Sequence, residues 1–139
     1  MKRSECPIAA ALDVLGDRWT LVVLRDLLLA HRYAASELAA DEGIASNIRN
    51  DRLERLLDAG LVERWADPAD GRRRNYLPTE GAIALLPVLV DLIQWGLAHT
   101  DVDAPGELLA LTKAIRADRE GVLRDLAADI RKDVRRYRS

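Results

Sequence analysis

The chain has 139 residues, 49% of them hydrophobic and 32% charged, with 21 basic against 23 acidic side chains and a formal charge of −2. That length suits one domain, or a domain with an appended helical tail, and the apolar content is enough for a core, which excludes global disorder. The charge is not that of a strongly basic nucleic-acid binder, so any DNA contact must come from a local patch; the single cysteine excludes an intramolecular disulfide and a multi-cysteine zinc site.

The N-terminal apolar stretch is interrupted by Asp13 and Asp17 and does not read as a signal peptide. No window approaches the roughly 18 uninterrupted apolar residues of a spanning helix. The expectation is a cytoplasmic protein with no membrane partner. Pro7 opens a short helix to Leu15, with Ile8, Leu12 and Leu15 on one face, and Gly16 breaks it. Asp17 is placed to cap a second helix reaching Ala30. Its sequence "RWTLVVLRDLLLA" is apolar almost all round, the pattern of a central helix buried on several sides. Residues 35–41, "ASELAAD", are predicted as a short helix capped by Ser36, followed by a turn at Gly43 and Ile44. "ASNIRNDRLERLLDAG" is predicted as a longer helix. Ile48, Leu53, Leu56 and Leu57 form its packed side, Asn47, Arg49, Asn50 and Arg52 its early polar part, and Gly60 a left-handed stop.

"LVERW" (61–65) and "NYL" (75–77) flank a loop with Pro68, Asp70 and Gly71, which predicts an antiparallel hairpin. Trp65 is expected to pack on the preceding helix. Residues 80–98 are predicted as one helix whose apolar surface is wider than a small core needs, so a second chain is expected to cover the remainder. Beyond "HTDVDAPGE", Leu108, Leu111, Ile115, Val122, Leu126, Ile130, Val134 and Tyr137 recur at helical spacing, and Gly121 is placed to divide this tail into two helices. Glu120/Arg124 and Asp133/Arg136 are candidate surface pairs.

Short helix, turn, longer helix and hairpin in succession form the order of a winged helix-turn-helix. Such a unit sets the N-terminal residues of its second helix at the base edges of the DNA major groove. Arg72, Arg73 and Arg74, at the tip of the hairpin, then become phosphate contacts on a flexible basic finger. The segments "CPIAAALDVLGDRWTLVVLRDLL", "GIASNIRNDRLERLLDAGLVER" and "YLPTEGAIALLPVLVDLIQWG" resemble the HxlR-type winged-helix transcription regulators, relatives of the MarR group, over about residues 5–97. The resemblance implies a homodimer on pseudo-palindromic, double-stranded operator DNA. Its dimer contact would use the first helix and the 80–98 helix, and its recognition helices would lie about 34 Å apart. The stretch from Tyr33 to Gly43 is slightly longer than the family pattern, and Arg49 stands where the family usually has an aliphatic residue.

The candidate DNA-binding residues are Ser46, Asn47, Arg49, Asn50 and Arg52 with Arg72, Arg73 and Arg74. Asn pairs bidentately with adenine and Arg most often with guanine, while Ser suits several edges. Against this, Ser46 is also placed to cap its helix, the asparagines to face solvent, and Arg52 to bond within the domain. Cys6 precedes Pro7 at a helix N-terminus, where the dipole favours a thiolate, and some relatives use this Cys-Pro position as a redox or electrophile sensor. The competing reading is an inert hydrophobe. Trp19 and Trp95 read as packing residues, with a small planar effector in a dimer cleft as the other use. His31 and His99 are isolated, so no metal is expected, and no cofactor motif or convergent catalytic group is present.

The expected architecture is mainly α with a small β-hairpin wing: residues 1–99 as a winged helix-turn-helix DNA-binding and dimerisation domain, and residues 100–139 as a C-terminal helical extension. The expected function is a DNA-binding transcriptional regulator, not an enzyme, responsive to redox state, an electrophile or a small molecule. The alternative keeps the fold without DNA binding, as a protein-interaction module or a small-ligand-binding dimer.

Overall fold

A computed structural model describes residues 5–139. The helices are α1 (Pro7–Leu15), α2 (Thr20–Leu28), α3 (Ser46–Asp58), α4 (Glu80–Ile83), α5 (Leu86–His99), α6 (Gly106–Ala117) and α7 (Arg119–Arg138). Two strands, β1 (Val62–Ala66) and β2 (Arg74–Pro78), lie between α3 and α4. The chain is mainly α with one antiparallel hairpin, as its sequence pattern requires. It packs as two compact units, one ending at Ala82 and one spanning Ile83–Ser139. The division expected after residue 99 follows the resemblance, whereas the division in packing comes before α5.

In the first unit α2 is the central element. Val23, Leu24, Leu27 and Leu28 are fully buried, and α2 lies against β2 while α3 lies against β1. Leu38, Leu53, Leu56, Val62 and Leu77 complete the core. Gly60, at φ +73, ends α3: its amide reaches the Leu57 carbonyl and the Leu61 amide reaches Leu56, a paired closure that needs a left-handed residue. The Thr79 hydroxyl then donates to the Gly60 carbonyl at 2.7 Å and pins the base of the hairpin to the end of α3.

Residues 35–41 do not form the predicted helix. They make two 3₁₀ turns, Ala35–Glu37 and Ala40–Glu42, with no cap from Ser36. The cause is tertiary. Ala39 is held at φ +55, where a helix cannot continue, and its amide donates to the buried Asp26 carboxylate at 2.8 Å. Asp26 is also bonded by Arg25 Nε at 3.1 Å. A short bridge between Ala34 and Asn75 and a bond from the Tyr76 amide to the Tyr33 carbonyl attach this segment to the hairpin.

The second unit packs α5 against α6 and α7, and these against each other. The single predicted 80–98 helix is split at Ala84 and Leu85, because Pro87 has no amide to donate to Ile83. By length and composition alone Glu80–His99 is apolar enough to cross a bilayer, and 28% of its 18-residue apolar window is buried. The break in the tail comes at Asp118 and not at Gly121. Asp118 caps α7 by accepting the Gly121 amide at 3.0 Å, and a Cβ on Gly121 would lie 2.2 Å from its carboxylate. Gly121 is therefore the residue that leaves room for the cap.

Candidate nucleic-acid interface

The Gly-Asp-Arg-Trp motif organises the approach to α3. Asp17 Oδ1 accepts the amides of Trp19 at 2.8 Å and Thr20 at 3.0 Å, and Oδ2 accepts the Thr20 hydroxyl. The same carboxylate receives Arg52 Nε at 2.9 Å and lies 4.0 Å from Arg55, both on α3. Burial opposes the charge on Asp17. The bonds from Thr20, Arg52 and the two amides outweigh it and hold the carboxyl well below the usual range. Arg18 stacks over the Trp19 ring at 5.3 Å. The start of α2 and the middle of the predicted recognition helix thus share one anionic pin.

The candidate residues on α3 separate into two faces. Ser46 is the first helical residue and caps nothing, since Ala45 holds the cap position without a side-chain bond. Ser46, Asn47 and Asn50 are exposed together at the N-terminal turn. Arg49 lies instead in line with Leu53 and Leu56, at i, i+4 and i+7. It is partly buried, and its Nε is enclosed without a hydrogen-bond partner among the described residues. This is the aliphatic position of the resemblance filled by an arginine. Arg52 is engaged by Asp17 and Asp51, so the structure gives it an orienting contact within the domain.

The hairpin tip is braced. Asp67 Oδ1 accepts the amides of Ala69 at 2.8 Å and Asp70 at 3.2 Å, its Oδ2 accepts Asn75 Nδ2 at 3.2 Å, and Asp70 accepts the Arg72 amide at 3.0 Å. The Ala69 amide and the Asn75 side chain lower the Asp67 carboxyl below its ordinary range. The loop expected to be flexible is tied by its own aspartates. Arg72, Arg73 and Arg74 are all exposed. Arg73 pairs with Glu37 at 2.9 Å, joining the wing to the first 3₁₀ turn, while neither Arg72 nor Arg74 makes a side-chain ion pair among the described residues. Trp65 stays on the exposed side of β1, 37% accessible, and Arg64 lies 3.9 Å from Glu54 of α3. Sequence reasoning missed Glu37 and Asp67 as wing supports; the Asp67-Pro68 pair was the available signal for the second.

The family model described as HxlR-like helix-turn-helix matches residues 14–104. An uncharacterized HTH-type transcriptional regulator of Mycobacterium tuberculosis (strain ATCC 25618 / H37Rv) is 35% identical over 89 residues, 64% of this chain. The match spans only 56% of that relative's length. The uncharacterized HTH-type transcriptional regulator YvaP of Bacillus subtilis (strain 168) is 29% identical over 103 residues, covering 73% of this chain and 95% of YvaP. Among solved structures, PA1607 superposes with a TM-score of 0.65 at 32% identity, over 76% of this chain and 71% of that one. The reduced form of the transcriptional regulator YodB from B. subtilis superposes with a TM-score of 0.56 over 73% of this chain and 100% of that one; at 23% identity the likeness is one of fold.

Two stability changes follow from the α3 geometry. Asp17→Asn keeps an amide-accepting side chain but removes the charge facing Arg52, and should cost about 2 kcal/mol at neutral pH in denaturant unfolding. Because the folded-state pKa is depressed, this stabilisation is complete above the unfolded value of about 3.9 and fades as pH falls below it. The gap between variant and unaltered protein should therefore narrow in acid; a constant gap would mean that the charge is not what Asp17 contributes. Arg49→Leu removes the enclosed Nε and should raise stability by about 1 kcal/mol. A fall would show that this nitrogen has a partner in solution.

Proposed function

Because the chain belongs to the HxlR-like helix-turn-helix family, whose members are transcriptional regulators of helix-turn-helix type and not enzymes, we propose that it is a cytoplasmic homodimer that reads double-stranded operator DNA with the first turn of α3. The wing holds the phosphate backbone. The observation that carries this reading is the exposure of Ser46, Asn47 and Asn50 on α3, in the same compact unit as the outward-facing Arg72 and Arg74. Asn and Ser at the N-terminal turn supply base-edge hydrogen bonds. Arg72 and Arg74 supply charge to phosphates, and Arg73, through Glu37, sets where the wing stands. Arg49 adds its outer guanidinium nitrogens to the DNA contact, and Arg52 works through Asp17 by fixing the pitch of α3.

Two exposed apolar stripes support the dimer. On α1, Ile8 and Leu12 are exposed; on α5, Val88, Leu92 and Trp95 are exposed in one line, with His99 stacked on Trp95 at 4.8 Å. Stripes of this kind on a regulator call for cover by apolar surface, and a second copy supplies it on both helices. Selection from a random duplex pool should return an inverted repeat with half-sites about one turn apart. A single half-site would remove the dimer from the reading. Arg72→Gln with Arg74→Gln should weaken binding to all sequences alike and flatten its salt dependence by about 0.9 per lost contact. Asn47→Ala should instead change the selected sequence. Loss of neither would take α3 and the wing out of the interface.

Control by oxidants or electrophiles is assigned to Cys6, which is exposed at the cap position of α1 with Pro7 as the first helical residue. A mild disulfide-forming oxidant or a quinone should change operator affinity, and Cys6→Ser should abolish the change. The same response in the variant would dispose of the sensor; a small-molecule effector would then be the remaining route of control.

A further inference from the structure

Two of the exposed large hydrophobic residues, Val102 and Leu109, belong to neither the α1 stripe nor the α5 stripe. Both line an open pocket of about 540 Å³ that lies wholly within the second compact unit, between the end of α5, the linker that follows it and α6. Leu97 supplies the α5 side. It follows Trp95 by two residues, about half a turn further round the helix, so the pocket and the line of Val88, Leu92 and Trp95 belong to opposite sides of α5. On α6, Leu109, Lys113 and Arg116 recur at i, i+4 and i+7 and share one face. All three are exposed, and all three line the pocket.

The two cations have no internal use. Neither Lys113 nor Arg116 makes a side-chain hydrogen bond or ion pair among the described residues. The helix dipole accounts for Arg116, in the last turn of α6, but its effect falls off beyond that turn and leaves out Lys113. The buried Thr112 hydroxyl is spent on the Leu108 carbonyl at 2.9 Å, so Lys113 and Arg116 are the side-chain donors that the lining offers. Asp103 is the carboxylate of the lining. Two cations against one carboxylate leave a net charge of +1, which complements a monoanion better than a dianion such as phosphate. The apolar part of the lining is aliphatic and contains no aromatic ring on which a flat ligand could stack. A pocket of this volume, apolar but for a few polar groups that fix orientation, has the composition of a small-molecule site.

We propose that this pocket binds a medium-chain aliphatic carboxylate, with the carboxylate on Lys113 and Arg116 and the chain against Leu97, Val102 and Leu109. Both cations lie beyond residue 104, where the family match ends, so the site is a property of the C-terminal extension. It needs neither α3 nor Cys6 and stands apart from the DNA-binding reading.

The test titrates octanoate, hexanoate and butanoate into the full chain without DNA, followed by calorimetry. Methyl octanoate serves as the uncharged match and inorganic phosphate as an anion without a chain. Octanoate should bind at one site per chain, and affinity should fall by up to about fourfold for each methylene removed. Phosphate at the same concentration should not compete. The double variant Lys113→Gln, Arg116→Gln alters two exposed residues and should keep the helical circular dichroism. Its affinity for octanoate should drop by at least about tenfold, while its affinity for methyl octanoate should not change. Leu109→Asn should flatten the dependence on chain length. Equal octanoate affinity in the unaltered protein and the double variant overturns the inference, as does the absence of saturable binding. Affinity that ignores chain length, or that phosphate matches, overturns it in favour of a plain anion patch. Leu109→Asn that leaves octanoate binding intact but converts dimers to monomers in sedimentation overturns it in favour of a contact between copies of the chain.

Discussion

The Asp17 carboxylate is the contact on which the presentation of α3 depends. A recognition helix works only if it is held at a fixed angle on the core, and Leu53 and Leu56 are buried on the packed side of α3. Asp17 adds a directional contact to that packing. The cap position of α2 is Trp19 and not Asp17, but Asp17 braces the start of α2 through two amides and the Thr20 hydroxyl and, with the same two oxygens, engages Arg52 and faces Arg55. A partly buried carboxylate without those donors would carry an uncompensated desolvation cost; with them it becomes a directional clamp. Asp26 does the equivalent work one step along the chain, forcing Ala39 into a left-handed turn and so fixing where α3 begins.

The charge arithmetic changes once these partners are placed. A formal charge of −2 suggests a surface unsuited to a polyanion. Several carboxylates near the helix-turn-helix are, however, occupied inside it: Asp17 by α2 and α3, Asp26 by Arg25 and the Ala39 amide, and Asp67 by the amides and Asn75 of the wing loop. Some arginines are occupied too, including Arg25, Arg52 and Arg73. What faces outward is therefore not a sample of the composition. Local pairing selects which cations face outward without an ion pair among the described residues, and on the wing these are Arg72 and Arg74.

Elements with strong local signals were legible in the sequence. Pro7 and Gly16 bounded α1, Gly60 ended α3, and the turn-rich loop from Pro68 to Gly71 separated the two strands. The misreadings arose where a distant or less conspicuous group decided the outcome. Residues 35–41 have helical composition, but Asp26, thirteen residues earlier in the chain, captures the Ala39 amide. Pro87 should have divided the 80–98 helix, yet the continuous apolar run obscured it. The break assigned to Gly121 belongs to Asp118, because a flexible residue was taken for the cause when it serves to admit the cap. On α3, polar identity was read as exposure, whereas helical phase puts Arg49 in line with Leu53 and Leu56 and away from Asn47 and Asn50.

The bracing of the wing bears on how charge and shape divide the labour there. Asp67 and Asp70 sit within a few residues of three arginines and lower the positive potential of the tip, which is a poor arrangement if attraction alone were selected. Their oxygens are turned inward onto backbone amides, where each bond fixes a loop dihedral that would otherwise be lost on binding. Ordering a flexible loop costs about 1–2 kcal/mol per residue, comparable to what one exposed phosphate contact returns. A loop already ordered by its own aspartates avoids much of that cost at the moment of association. The acidic residues of the wing are thus compatible with a phosphate partner, since they trade long-range attraction for a tip that is ordered before any contact. The Arg73–Glu37 pair extends the same logic from the loop to its placement, because it ties the tip to the first of the two 3₁₀ turns that precede α3.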